Sequence, residues 1–289
     1  MARGAFSEIS WSPDGTEIVA VTQPRIPVPN SYLYLVNASD GSTRRISDEF
    51  RVFSLPKWSP GESSIAVTLD GNIIGLVDLE TYGLAVITEG EGAVWTQDGR
   101  ELIVYVGGLT DLNSGRGELR LVDLQGRILR SFPLNESSDF SPSESPATSV
   151  AADVPSTYLS ALDLVSSGEQ IAFATVELND GQASYKAYTV DLTSGEPLRL
   201  RPEEAVGSLS WSPDGSSIAY VRVATQGLEG ELLITDRAGH CVIKPTVPQG
   251  ITTVSWAPDG PRIAFLYEGD IYLLDLEAAN IRPPVSTDC

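Results

Sequence analysis

Apolar and polar positions along this chain fall into short, strand-length runs, and the runs recur in the same order. Val206 to Trp211 alternates apolar with small polar residues, and Ser217 to Val223 is apolar at consecutive positions. Glu231 to Asp236 and Cys241 to Val247 then follow, separated by turn residues. Alternation marks a strand with one buried face, and a consecutive apolar run marks a strand buried on both. Four such strands joined by short turns predict an antiparallel meander. The first turn, Ser212-Pro213-Asp214-Gly215, suits a reversal: Pro fits the first central position, Asp tolerates the second, and Gly takes the left-handed conformation that re-enters the next strand.

The same four steps can be read six times. All five tryptophans, Trp11, Trp58, Trp95, Trp211 and Trp256, end a first strand and begin a turn such as Ser12-Pro13-Asp14-Gly15 or Ala257-Pro258-Asp259-Gly260. In the fourth unit Leu164 stands where the tryptophan would be, once Gly168 is set on Gly215. A repeat of roughly 40 to 50 residues with four strands per unit predicts an all-β fold, a six-bladed β-propeller of four-stranded antiparallel blades. The blades are expected at about 6–50, 51–89, 90–134, 157–203, 204–248 and 249–289, in one domain. Residues 135–156 (NESSDFSPSESPATSVAADVPS) are Ser-, Pro- and Asp-rich and read as an exposed insertion. Each blade draws its strands from contiguous sequence, so blades 1 and 6 are expected to meet by packing alone. A weak last strand is expected over Ile281 to Ser286. The tryptophans are expected to pack between blades and not to stack on a ligand.

Composition narrows the chemistry. Formal net charge is −20, and the only lysines are Lys57, Lys186 and Lys244, which argues against nucleic acid, whose binding rests on neutralised phosphates. No apolar run approaches the 18 residues of a membrane span. The start, Met1-Ala2-Arg3-Gly4-Ala5, has no signal-peptide core. It leaves two readings open, a cytoplasmic protein or an ectodomain whose leader or anchor lies outside this sequence. Cys241 and Cys289 are too few for a disulfide scaffold and lack zinc-site spacing; one bridge between them is open. The protein is expected to be monomeric.

With the phrase Trp-Ser-Pro-Asp-Gly, the following Ile-Ala-Phe or Ile-Ala-Tyr run, a strand such as Tyr32-Leu33-Tyr34-Leu35-Val36-Asn37 and the turn Asp40-Gly41, the chain resembles the TolB-like propeller repeat over essentially its whole length. The match is strong for fold in blades 1, 5 and 6. Blade 2 lacks the Asp, blade 3 has Thr-Gln for Ser-Pro, and blade 4 is degenerate. The resemblance implies an extracytoplasmic, non-catalytic binding or scaffold module of bacterial type. Similar propellers also form non-catalytic domains of serine peptidases. The repeat itself is structural and carries over no functional residue.

Catalytic constellations are missing from the sequence. His240 is the only histidine and sits in a tight turn, no Gly-x-Ser-x-Gly elbow exists, and no phosphate-cradling glycine loop or EF-hand pattern occurs. No cofactor is expected, apart from a divalent cation such as calcium that carboxylates of separate blades could assemble. That alternative would be a propeller hydrolase of lactonase or phosphoesterase type. A second alternative is the propeller domain of a longer serine peptidase.

What remains is position. The links from each outer strand to the next inner strand should gather on one face around the channel mouth, with the Ser-Pro-Asp-Gly turns opposite. Those links are acidic, with Asp48 and Glu49, Glu89 and Glu91, Glu136 and Asp139, and Glu203 and Glu204. The mouth is therefore expected to hold a basic peptide or protein segment at Asp48, Glu49, Arg51, Glu89, Glu91, Arg116, Glu203 and Glu204. Long second-to-third-strand loops are expected there too, at Thr22 to Ser31, Val106 to Gly117 and Val176 to Tyr185.

Overall fold

The computed structural model describes residues 2–23, 31–47, 53–70, 72–107, 118–133, 156–164, 168, 170–179, 182–194, 197–200, 204–223 and 230–283. Its strands form six antiparallel sheets, each drawn from consecutive strands. Blade 1 holds β1 (Phe6–Trp11), β2 (Glu17–Thr22), β3 (Leu33–Asn37) and β4 (Thr43–Arg45). Blade 2 holds β5 (Phe53–Trp58), β6 (Ser64–Leu69), β7 (Ile73–Asp78) and β8 (Leu84–Glu89). Blade 3 has β9 (Gly92–Trp95), β10 (Glu101–Val106), β11 (Glu118–Asp123) and β12 (Ile128–Pro133). Blade 4 has β13 (Ser156–Leu164), β14 (Gln170–Asn179), β15 (Gln182–Asp191) and β16 (Pro197–Leu200). Blade 5 has β17 (Val206–Trp211), β18 (Ser217–Arg222), β19 (Glu231–Asp236) and β20 (Val242–Ile243). Blade 6 has β21 (Ile251–Trp256), β22 (Arg262–Tyr267) and β23 (Asp270–Asp275). Among the described residues no helix is long and apolar enough to cross a membrane.

Packing explains why the second strands are apolar throughout. The buried side chains form six clusters, and each cluster joins two neighbouring blades. Strands such as β6 and β18, which face a seam on either side, are buried along nearly their full length. Each tryptophan enters the seam with the preceding blade: Trp11 with blade 6, Trp58 with blade 1, Trp95 with blade 2, Trp211 with blade 4 and Trp256 with blade 5. Between blades 3 and 4 there is no tryptophan. Aromatic volume there comes from Tyr105, Phe173 and Tyr188, with ring centroids 5.4 Å and 5.2 Å apart in succession.

Three expectations are corrected. Ring closure is not by packing alone. Ala2 pairs antiparallel with Ile271, its N–H donating to the Ile271 carbonyl at 3.3 Å and the Ile271 N–H returning at 3.0 Å. Phe6 N donates to Gly269 O at 3.0 Å and Gly4 N to Asp270 Oδ1 at 2.9 Å. The segment before β1 therefore lies along the outer edge of blade 6, where other blades place a fourth strand, because Ala2 is small enough to bury in the seam. Residues 281–283 of the expected last strand are not strand, and the rest of it lies outside the described residues. Finally, Val176 to Tyr185 is no loop: β14 and β15 stay paired out to Asn179 opposite Gln182. The intervening Asp180-Gly181 is a two-residue hairpin signal.

Cys241 is disulfide-bonded. The sequence holds one other cysteine, Cys289, outside the described residues.

Candidate functional site

The innermost strand of every blade is a sheet edge that faces the channel, and its unpaired backbone groups need partners. Side chains of the neighbouring blade supply them. Trp256 N donates to Ser210 Oγ at 3.0 Å, Val254 N to Ser208 Oγ at 3.2 Å, and Trp211 N to Asp163 Oδ2 at 2.8 Å. Leu159 N donates to Glu91 Oε2 at 3.0 Å, and Leu55 N donates to Glu8 Oε2. Period-two alternation in the inner strands thus aims one set of residues at the channel, and several of them act as caps on the next blade.

One residue before the end of each inner strand, the ring reads Ser10, Lys57, Val94, Asp163, Ser210 and Ser255. Lys57 Nζ reaches past blade 3 to Asp163 Oδ1 at 3.0 Å, and Ser210 Oγ donates to Asp163 Oδ2 at 3.0 Å. Two residues further in along β1 stands Glu8. Burial pushes its carboxyl up from 4.5 to about 7, against the pull of the Leu55 N–H and of Lys57.

This ring closes one side of a cavity of ≈ 360 Å³. Its walls are the five tryptophans and Pro13, Pro60, Pro213 and Pro258, with Gln97 at the Pro position of blade 3. The turns that carry these prolines are braced internally. Ser12 Oγ donates to Asp14 Oδ1 at 2.6 Å while accepting from Glu17 N at 2.9 Å, and Ser212, Asp214 and Ser217 repeat the arrangement at 2.6 Å and 2.9 Å. Hydrogen bonds from Ser12 and Thr16 hold the Asp14 carboxyl below its ordinary value. In blade 6 Ala257 replaces the serine, and Asp259 pairs with Arg262 at 2.6 Å instead. Arg262 also donates to Gly15 O at 3.0 Å and covers the Trp11 ring, which ties the first and last turns together. The cavity therefore has a rigid rim.

The tryptophans divide by their indole N–H groups. Trp11 donates to Ser255 O at 3.1 Å and Trp95 to Lys57 O at 3.0 Å, each the residue before the tryptophan of the preceding blade. Trp256 turns to Gly260 O at 2.7 Å. Trp58 and Trp211 have no acceptor among the described residues.

Of the eight residues expected at the acidic mouth, Asp48, Glu49, Arg51, Arg116 and Glu203 lie outside the described residues, as do Glu136 and Asp139. Glu89 is exposed at the end of β8. Glu91 is buried and caps blade 4, and burial raises its carboxyl despite N–H contacts from Leu159 and Gly107. Glu204 accepts from Tyr220 Oη at 2.6 Å and lies 3.7 Å from Arg222. The three are not gathered into one cluster by any contact between them. His240 is exposed in the β19–β20 turn, its backbone N–H on Asp236 Oδ1 at 2.8 Å. Among the described residues no three His, Cys, Asp or Glu side chains are grouped so as to hold a metal ion. Sequence reasoning missed the Lys57 and Asp163 pair and Glu8; the available signal was a charged residue at a channel-facing position of an inner strand.

No family model matches the chain, and no curated protein does. Solved structures do. Its structural neighbours include TolB proteins. TolB from Acinetobacter baumannii aligns with TM-score 0.58 and 22% identity over 81% of this chain, which spans about half, 52%, of that one. The putative TolB from Agrobacterium tumefaciens aligns with TM-score 0.62 and 16% identity, over 89% of this chain and 88% of that one. Kuenenia stuttgartiensis hydrazine synthase aligns at 0.59 with 10% identity, over 95% and 97%. At these identities the likeness is one of fold, and a propeller fold alone does not choose between binding and catalysis.

Proposed function

We propose that the protein is a non-catalytic binding propeller that takes its ligand at the tryptophan end of the channel. The observation that carries this reading is the cavity of ≈ 360 Å³, which is walled by braced turns and floored by a ring of inward polar groups. A concave, largely apolar site with a few convergent polar groups is the usual form of a ligand site. Ligand-observed NMR with a mixed set of fragments and short peptides tests it. Binders that recognise the wild type should lose affinity for Ser255→Phe and for Ser10→Leu, which fill the cavity from two blades. A set that yields no binder, or only binders indifferent to both variants, overturns the reading.

A peptide or protein partner at the opposite, acidic face belongs to the same scaffold role. The net charge of −20 and the exposed Glu89 support a basic partner there. We also propose an extracytoplasmic location, because the Cys241 disulfide persists in oxidising compartments and is rare in reducing ones.

A further inference from the structure

We propose that the tryptophan-end cavity binds an uncharged, hydroxyl-rich ligand of one or two sugar rings. This rests on the reading that the cavity is a ligand site. Size sets the first bound: ≈ 360 Å³ is at the lower end of the roughly 300–1,000 Å³ of small-molecule sites.

Charge sets the second. Among the described residues of the lining, the only formal charges are Lys57 and Asp163, which neutralise each other at 3.0 Å. A charged ligand would therefore leave water for a site whose described residues offer no counter-charge, a costly transfer. Glu8 lies deeper in the channel and is not part of the lining.

The third bound is the type of polar group. Ser10 and Ser255 are each 8% exposed and line the cavity. Neither hydroxyl has a hydrogen-bond partner among the described residues, unlike Ser210 in the same ring. Neither oxygen is an enclosed atom without a partner, so both hydroxyls are open to water in the cavity, where a ligand would take over the bonding that water supplies. A hydroxyl both donates and accepts, Lys57 has two further N–H groups, and Asp163 accepts. Sugar hydroxyls, which also do both, match that mixture. Their C–H faces match the indole and proline walls.

Isothermal titration and tryptophan fluorescence on the intact protein test this with glucose, N-acetylglucosamine and maltose, against cationic glucosamine and anionic glucuronate. We expect at least one neutral sugar to bind equally well at low and high salt. Both charged analogues should bind roughly tenfold more weakly, and Ser10→Ala and Ser255→Ala should each weaken the neutral sugar by about tenfold with an unchanged unfolding transition. No binding by any neutral sugar, preference for a charged analogue, or full affinity in both serine variants overturns the proposal. If the sugars fail while fragments still distinguish wild type from Ser255→Phe, the ligand class is wrong and the ligand site stands. If both fail, the site itself is wrong.

Discussion

Glu8 accepts the backbone N–H of Leu55 across the seam between blades 1 and 2, and Leu55 is a non-glycine residue with a φ of 47°. The bulge that rotates Leu55 lies between Ser54 and Lys57, so the cap and the left-handed backbone occur together. The cap is a carboxyl that burial raises from 4.5 to about 7, and this has a consequence for stability. The native state holds the Glu8 proton more tightly than the unfolded chain does. Between pH 4.5 and 7 it therefore binds more protons, and stability falls as pH rises through that window before levelling off above it. The full effect is at most about 3 kcal/mol. Glu91 pushes in the same direction, so the difference between wild type and Glu8→Gln isolates Glu8. Denaturant titrations from pH 5 to 8 should give a flatter profile for Glu8→Gln, and the variant should be the more stable of the two at pH 8. Parallel profiles would show that Glu8 does not titrate in this window.

Lys57 and Asp163 connect blades 2 and 4, with side chains 21% and 19% exposed. Asp163 also holds Trp211 N and Ser210 Oγ, so the two ends are unequal. Asp163→Asn leaves the ammonium uncompensated and weakens two caps, and should cost about 1–3 kcal/mol. Lys57→Met should cost less, since Asp163 keeps its other partners. The double variant should lose less than the sum of the two, and a double-mutant cycle that adds simply would mean the pair is solvated and uncoupled.

Blade 2 shows what one departure from the repeat costs. Its turn reads Ser59-Pro60-Gly61-Glu62, and Glu62 takes φ 58° where blades 1 and 5 place Gly15 and Gly215 at 70° and 68°. A residue with a Cβ is strained there by about 1–2 kcal/mol. Gly61 occupies the position of the bracing aspartate, and nothing lies within 4 Å of where its Cβ would be. Gly61→Asp with Glu62→Gly should therefore raise stability by about 1–2 kcal/mol in denaturant titrations. A neutral or destabilising result would mean the Asp brace does not transfer to this blade.

The architecture was legible because the repeat is a packing requirement. Every seam wants a large side chain at the end of an inner strand, and every turn wants Gly or its equivalent in one position. Blade 4 was legible only through Gly168, and its replacement aromatics, Tyr105, Phe173 and Tyr188, were not, since they come from two blades. The pairing of β14 with β15 out to Asn179 and Gln182 had a readable signal in the Asp180-Gly181 dipeptide, but the residues around it, Glu177, Asn179 and Gln182, mimic a polar loop. Closure by Ala2 gave no signal, because one bridge at a small residue has no hydrophobic period. The channel charges were harder still: Lys57 and Asp163 are 106 positions apart, and Glu91 looks in sequence like any rim carboxylate.

Ala2 is 4% exposed and in contact with the blade 1 and blade 6 core. Removing residues 1–5 should free the Ile271 N–H, speed its hydrogen exchange, and lower stability by about 1–3 kcal/mol through lost burial and bonding. For a chain of this size that corresponds to a melting temperature lower by several degrees. Unchanged exchange at Ile271 would show that the blade 1 and blade 6 seam closes the ring without this segment.

The last prediction concerns the acidic face proposed for the opposite end of the channel. If Asp48, Glu49, Glu203 and Glu204 attract a basic segment, a lysine-rich peptide should bind with an affinity that falls as salt is raised, because exposed charges are screened over about 10 Å at 0.1 M ionic strength. Changing the four to Asn and Gln should abolish that binding. Glu204 complicates the interpretation, since it is already bonded to Tyr220 and close to Arg222, and Arg222 is shared with Glu231. A variant that keeps Glu204 and changes the other three separates the two contributions. It should lose most of the peptide affinity while keeping the wild-type unfolding transition, whereas Glu204→Gln alone should affect stability more than binding. Salt-independent peptide binding, or full affinity in the triple variant, would place the basic partner elsewhere on the ring.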